Sequence, residues 1–187
     1  IDLNRYLGPG SIWVPDATDE ARVFSSNLSY NKGSWVLHML RHVLGEDTFF
    51  DALLAYRAQW AHRSATTEDF RDVCEAVSGR DLDAFFQQWI YGEYYPSYRA
   101  TWTSAPASGG YDVTVTLEQT QSWQLFTMPV DLTVTTVAGE TTFVVPDSLA
   151  SQVFVLHVAA APTAVEVDRD GWILKTLDQV VASPPFD

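Results

Sequence analysis

The sequence predicts an α+β chain in two parts. An all-helical part of about four helices follows a long loop, and an antiparallel β-sandwich of about seven strands follows the helices. Three observations carry this reading. Apolar residues recur at helical spacing as far as Trp89. From Val113 onward they recur at every second position. Between the two regimes lies Tyr91-Gly92-Glu93-Tyr94-Tyr95-Pro96, whose proline cannot continue a helix and whose aromatics suit the junction of two packed units. The expected boundaries are residues 1–95 for the helical part, 96–180 for the sandwich and 181–187 for a tail.

Residues 1–29 hold Gly8, Pro9, Gly10, Pro15 and a Ser25-Ser26-Asn27 cluster, so they read as loop with at most short helix or strand. A loop of that length in a compact chain is usually functional or leans on another segment. Residues 31–44 read as helix, with Val36, Met39, Leu40, Val43 and Leu44 on one face and Gly45 as the stop. Residues 47–60 form the next helix, with Phe49, Phe50, Leu53, Tyr56 and Trp60 inward. Thr66 suits an N-cap because its hydroxyl can accept from a first-turn amide, and Glu68 and Asp69 suit the positive helix end. That third helix carries Phe70, Val73, Cys74 and Val77 to Gly79. Asp81 opens a fourth, with Leu82, Phe85, Phe86 and Trp89 on one face. The strand signals are Val113–Leu117, Val130–Val134, Phe143–Val145, Val153–Leu156, Val165–Val167 and Trp172–Leu174. Turns are expected at Ser108-Gly109-Gly110, Ala138-Gly139-Glu140, Pro146-Asp147 and Asp170-Gly171.

Composition narrows the function classes. A hydrophobic fraction of 47%, with 7 Trp, 8 Tyr and 10 Phe, is enough for a packed core. A net charge of −13 leaves no electrostatic footprint for nucleic acid or anionic lipid. No apolar run reaches the roughly 18 residues of a membrane span. The lone Cys74 excludes an intrachain disulfide and leaves the compartment open. An acidic chain with few lysines fits a secreted or periplasmic bacterial enzyme slightly better than a cytoplasmic one. The start, Ile1-Asp2-Leu3-Asn4-Arg5, has neither an initiator Met nor the charged and apolar regions of a signal peptide, so a fragment of a longer protein is expected.

The stretch richest in chemistry is Ser29-Tyr30-Asn31-Lys32-Gly33-Ser34. There a polar loop meets a long apolar helix. A side chain at Tyr30 can project into a cleft while its backbone is held by the helix start. The same tyrosine could equally be an aromatic that anchors the helix.

Tyr30-Asn31-Lys32-Gly33 and the helix behind it resemble the M1 family of zinc aminopeptidases, the gluzincins. The likeness continues through Leu44-Gly45-Glu46-Asp47-Thr48-Phe49, Ala65-Thr66-Thr67-Glu68-Asp69-Phe70, Ser78-Gly79-Arg80-Asp81-Leu82 and Phe85-Phe86-Gln87-Gln88-Trp89. Pro129-Val130-Asp131-Leu132 and Val167-Asp168-Arg169-Asp170-Gly171-Trp172 fit the small β domain of that family. Each motif alone is weak, and their order and spacing are the specific part. The resemblance implies that residues 1–95 are the C-terminal part of a peptidase catalytic domain acting on N-terminal residues of peptides. It further implies that Tyr30 is catalytic and donates a hydrogen bond to the oxyanion of the tetrahedral intermediate. A preorganised donor of this kind is worth roughly 3–4 kcal/mol, and a phenol with a reference pKa of about 10 keeps its proton near neutrality.

The family also implies zinc in the parent enzyme, held by a His-Glu-x-x-His helix and a further glutamate upstream of the tyrosine. The chain's histidines, His38, His42, His62 and His157, form no such motif. The chain alone is therefore expected to hold no cofactor or catalytic metal and to be inactive, with the missing N-terminal catalytic half as its partner. His38 and His42 share a helix face, but Met39 stands where a general base would. Lys32 suits a pairing with a carboxylate of the missing half, and Gly33 a close backbone approach. Cys74 reads as core. Asp168-Arg169-Asp170-Gly171 lacks the later ligands of a calcium loop and reads as a turn. Trp89, Tyr91, Tyr94 and Tyr95 read as packing aromatics in preference to a sugar-binding face. Two other readings stay open: a non-catalytic M1-like scaffold, and a binding module centred on the sandwich.

Overall fold

The computed structural model describes residues 4–182. The backbone divides into two compact units, Ile1–Tyr94 and Tyr95–Asp187. Ser183 to Asp187, most of the expected tail, lie outside the described residues, while Val181 and Ala182 belong to the last strand.

The first unit is helical. The long N-terminal stretch contains a short helix α1 (Glu20–Val23), capped by the Asp19 carboxylate, which accepts from Arg22 N–H at 3.1 Å. A π-helical turn, Ser26–Lys32, runs directly into α2 (Gly33–Leu44). The apolar stripe of α2 packs as its spacing demands: Val36, Met39, Leu40 and Leu44 are buried. After Gly45, α3 (Glu46–Trp60) begins at once. Phe49 is buried there but Phe50 is 48% exposed. One residue is a 100° rotation of the helix, and the Arg41 guanidinium lies 5.7 Å from the Phe50 ring centroid on the outer side. Helix α4 (Thr67–Ser78) starts with the expected cap, and Asp69 completes a capping box. It ends at Gly79, left-handed at φ 67°, a conformation glycine adopts without strain. Val73 and Cys74 are buried, whereas Val77, in the last turn, is at the surface. Helix α5 (Asp83–Phe86) passes into a second π-helical turn, Gln87–Tyr91. Leu82, Phe85, Phe86 and Trp89 are all buried, so Trp89 belongs to the core and not to an exposed aromatic face.

The second unit is a β-sandwich of two sheets. Its strands are β1 (Ser97–Ala107), β2 (Gly110–Gln119), β3 (Met128–Thr136), β4 (Gly139–Asp147), β5 (Ser151–Val158), β6 (Pro162–Val167) and β7 (Thr176–Ala182). One sheet has the order β5-β2-β1-β7 and the other β4-β3-β6. Val113, Val115 and Leu117 from β2 and Val130, Leu132 and Val134 from β3 are fully buried, as their shared face requires, and in β3 the intervening Asp131 and Thr133 are buried as well.

Three expectations for this unit are corrected. The sheet is not wholly antiparallel: β7 pairs parallel with β1, Ser97 opposite Thr176. Pro146-Asp147 is not a turn but the end of β4, an edge strand where the missing proline N–H leaves no ladder bond unmade. Trp172–Leu174 is not a strand. Ile173 and Leu174 are buried in an irregular segment, and the strand starts at Thr176. Two strands, β1 and β7, were not among those expected, and in β1 the alternation of Tyr98, Ala100 and Trp102 was the unread signal. Among the described residues no helix is long and apolar enough to cross a membrane.

Candidate functional site

Tyr30 sits in the π-helical turn ahead of α2. Ser25 caps that turn, its hydroxyl accepting from Leu28 N–H at 3.3 Å. Ser29 and Tyr30 both donate their N–H groups to the Ser25 carbonyl, at 3.0 and 3.3 Å. The Ser34 hydroxyl donates to the Tyr30 carbonyl at 2.7 Å. The backbone of Tyr30 is thus tied on both sides while its side chain is 55% exposed. The ring borders an open cavity of about 480 Å³, shared with Ile12, Ser34, Leu37, Tyr56 and Ile90. Single π-turns inside helices recur at functional sites, because the extra residue re-aims a side chain without ending the helix.

Lys32 closes the same turn and behaves differently from expectation. Its side chain is 1% exposed. The ammonium donates to the Gly10 carbonyl at 2.9 Å and the Gly92 carbonyl at 3.2 Å, so it is used within this unit. Burial pushes it down to about 8, with the nearby Glu93 pulling the other way. Gly33 is helical at φ −59°, and a Cβ there would find its nearest atom, the Leu28 carbonyl oxygen, at 3.9 Å. The expected close approach is therefore absent at Gly33 and occurs at Gly10. That residue has φ 104°, and a Cβ on it would lie 2.8 Å from Leu28 Cδ1.

Sequence reasoning read residues 1–29 as loop but did not find the residues that hold it around Gly10. Gly10 donates its N–H to Glu93 Oε2 at 3.0 Å. Ile12 and Trp13 both donate to the Ile90 carbonyl at 3.1 Å, inside the second π-turn. The Arg22 guanidinium donates to the carbonyls of Ser11 and Trp13. The loop is thus laced to both π-turns by polar bonds. The only sequence signal was the glycine itself.

The remaining candidates separate cleanly. His38 and His42 are half-buried on α2, with Met39 buried between them. Among the described residues the one cluster with metal-ligand types is Glu75, Asp81 and Asp83. It holds no histidine or cysteine, and each carboxylate is engaged. Glu75 accepts from Leu82 N–H at 2.7 Å, Asp81 from Asp83 N–H at 2.9 Å, and Asp83 pairs with Arg71 at 2.8 Å. These residues do not fit a catalytic zinc site. Cys74 is buried, and burial pushes its thiol up to about 11, the opposite of an activated nucleophile. Asp168 to Gly171 forms the expected turn, with Gly171 N–H donating to the Asp168 carbonyl at 3.1 Å. Its Asp168 carboxylate accepts from Trp172 and Ile173 N–H and pairs with Lys175. Tyr91 donates to Glu68, and Tyr95 packs edge-on to Trp123 at 5.9 Å, so these rings make no shared platform.

With this geometry in view, the comparisons are informative. Residues 6–89 match the Peptidase family M1 domain. Aminopeptidase M1-C of Oryza sativa subsp. japonica is 33% identical over 96 residues, 51% of this chain and 11% of that protein. Aminopeptidase N of Lactococcus lactis is 32% identical over 74 residues, 40% of this chain and 9% of that protein. The chain thus matches about a tenth of the length of these curated relatives. The crystal structure of Legionella pneumophila aminopeptidase A in complex with aspartic acid superposes over 92% of this chain and 20% of that one, with a TM-score of 0.75 and 13% identity. At that identity the likeness speaks for the fold, and it extends through the β-sandwich. Residues 6–89, with the ordered motifs around Tyr30, are thus similar to the Peptidase family M1 domain, and the likeness of fold to an aminopeptidase structure extends over the sandwich.

Proposed function

We propose that the protein containing this chain is an aminopeptidase that removes N-terminal residues from peptides, and that Tyr30 supplies the hydrogen bond that stabilises the oxyanion. The observation that carries the reading is the pairing of a fixed Tyr30 backbone with an exposed ring at the rim of an open cavity. Attack on a peptide carbonyl moves negative charge onto its oxygen. A neutral phenol donor whose backbone is already held meets that charge with little reorganisation, so its bond is stronger in the transition state than in the ground state. Among the described residues the one cluster of metal-ligand types does not fit zinc, so the zinc that the family implies would be held by residues outside this sequence, in the other catalytic half. The 187-residue chain alone is proposed to cleave nothing.

The test is turnover of aminoacyl-anilides by the full-length protein, wild type against Tyr30→Phe. The substitution keeps the ring and removes the donor. Turnover is expected to fall by at least about a hundredfold. An unchanged rate refutes the role of Tyr30.

A further inference from the structure

Lys32 is the one buried side chain in the Tyr30 turn. Its two acceptors lie far away in sequence, 22 and 60 residues from it. Neither lines the cavity, but each is close in sequence to a residue that does. Gly10 is two residues from Ile12, and Gly92 is two residues from Ile90, and both isoleucines border the cavity that Tyr30 borders. The ammonium therefore joins three segments around that cavity at one point. Leu28, in the same turn as Tyr30, packs against Gly10, where a Cβ would lie 2.8 Å from Leu28 Cδ1 and would displace that side chain. Glu93 is the charged group that faces this knot, holding the Gly10 N–H, and Arg22 holds the loop carbonyls beyond it.

Tyr30 itself is exposed, so packing does little to fix its ring. Its placement depends on where the turn sits. The ammonium donates to two carbonyls, with the Glu93 charge acting on it through space, so its burial is costly, and an apolar side chain of similar length would avoid the desolvation cost. What its two bonds add is relative position.

Resting on the reading of Tyr30 as the oxyanion donor, we propose that Lys32 is its positioning residue: the buried ammonium staples the π-turn to the backbone at Gly10 and Gly92 and so sets where the phenol stands at the cavity. Lys32 touches no substrate in this arrangement and acts through Tyr30.

The experiment uses the full-length enzyme with Lys32→Met, Tyr30→Phe and the double variant. Lys32→Met is expected to lower kcat by roughly ten- to a hundredfold, the scale of a misplaced catalytic group, with KM nearly unchanged. On the Tyr30→Phe background the same substitution is expected to add no further loss. An equal loss on both backgrounds, or no loss with Lys32→Met alone, overturns the proposal. A second readout does not depend on activity. In enzyme labelled with 13C-tyrosine, the Tyr30 ring signal, assigned by its disappearance in Tyr30→Phe, is expected to shift and broaden in Lys32→Met. A ring signal that stays put overturns the staple even if kcat falls. A wild-type rate in Tyr30→Phe together with a moved ring signal in Lys32→Met removes the catalytic reading and keeps the staple. If Lys32→Met does not fold, Glu93→Gln loosens the Gly10 end of the knot from an exposed position. It should lower kcat about two- to fivefold on the wild-type background only, and the same loss on both backgrounds counts against the proposal.

Discussion

Both of the chain's lysines are buried, one in each unit, and they are buried in opposite ways. Lys175, in the sandwich, faces the Asp168 carboxylate, which also accepts from Trp172 N–H at 2.8 Å and Ile173 N–H at 3.0 Å. The charge is neutralised and the carboxylate's lone pairs are filled. Lys32, in the helical unit, has two carbonyl oxygens and no carboxylate within hydrogen-bond contact. The difference is one of purpose. The Asp168–Lys175 pair pins an irregular segment whose Ile173 and Leu174 are buried without strand partners, so it does the work of a missing ladder. The Lys32 knot ties a π-helical turn to the loop at Gly10 and to Gly92 just past the second π-turn, and what it adds is relative position near the Tyr30 cavity.

The largest expected effect comes from making Lys175 resemble Lys32. Asp168→Ala strips the carboxylate, takes the counter-charge from a buried ammonium and frees two backbone N–H groups. Breaking a buried pair from one side costs about 3–5 kcal/mol. Urea unfolding followed by tryptophan fluorescence measures it, with the midpoint falling and the slope unchanged. A loss below about 1 kcal/mol would mean that the pair behaves like a surface contact, and the contrast between the two lysines would fail.

The next effect concerns Asp147, which mirrors Lys32: a buried carboxylate with no cation. Gln119 donates to it at 2.7 Å, and the buried Tyr98 phenol lies beside it. Burial nevertheless raises it from 3.8 to about 6. The folded chain then holds a proton that the unfolded chain has released, between pH 3.8 and 6. The contribution of Asp147 to stability is fully present below the lower value and is lost as pH rises through the upper one. Lys32 shows the converse behaviour, its contribution being lost as pH falls through about 8. Asp147→Asn keeps an acceptor for Gln119 and removes the charge. It is expected to flatten the decline in stability across that window and to raise stability at pH 7 by about 2 kcal/mol. Thermal unfolding at pH 4, 5, 6 and 7 checks both. A variant that declines as steeply as the wild type would assign the dependence to another group.

The outlines of both units were legible because they follow from short-range periodicity. The stripe on α2, the Thr66 cap, the Gly79 stop and the alternation in β2 and β3 are written locally. The parallel pairing of β7 with β1 was not, since pairing direction depends on where a chain end returns in space. Neither π-turn was legible, because one extra residue leaves the apolar spacing almost unchanged. Tyr30 was found through its motif, and an exposed ring beside a cavity is compatible with that reading. The knot around Lys32 was invisible. A lysine reads as surface, and only carbonyls remote in sequence make its burial possible.

The smallest effect calibrates the others. In the helical unit the exposed cap of α4 pairs a Thr66 hydroxyl accepting from Asp69 N–H at 3.2 Å with an Asp69 carboxylate accepting from Thr66 N–H at 2.8 Å. Thr66→Ala removes the hydroxyl's two bonds, one accepted from Asp69 N–H and one donated to the Asp69 carboxylate at 2.9 Å, at a site that water reaches, so the freed groups are resolvated. The expected cost is about 1 kcal/mol, read as a fall of a few degrees in unfolding temperature by circular dichroism. This is the scale for exposed cap bonds with no buried charge behind them, and Asp168→Ala must exceed it severalfold if burial of charge is what separates the two cases. A Thr66→Ala loss that rivals Asp168→Ala would show that local helix geometry dominates this unit. The argument that Lys32 is kept for position would then lose its physical basis.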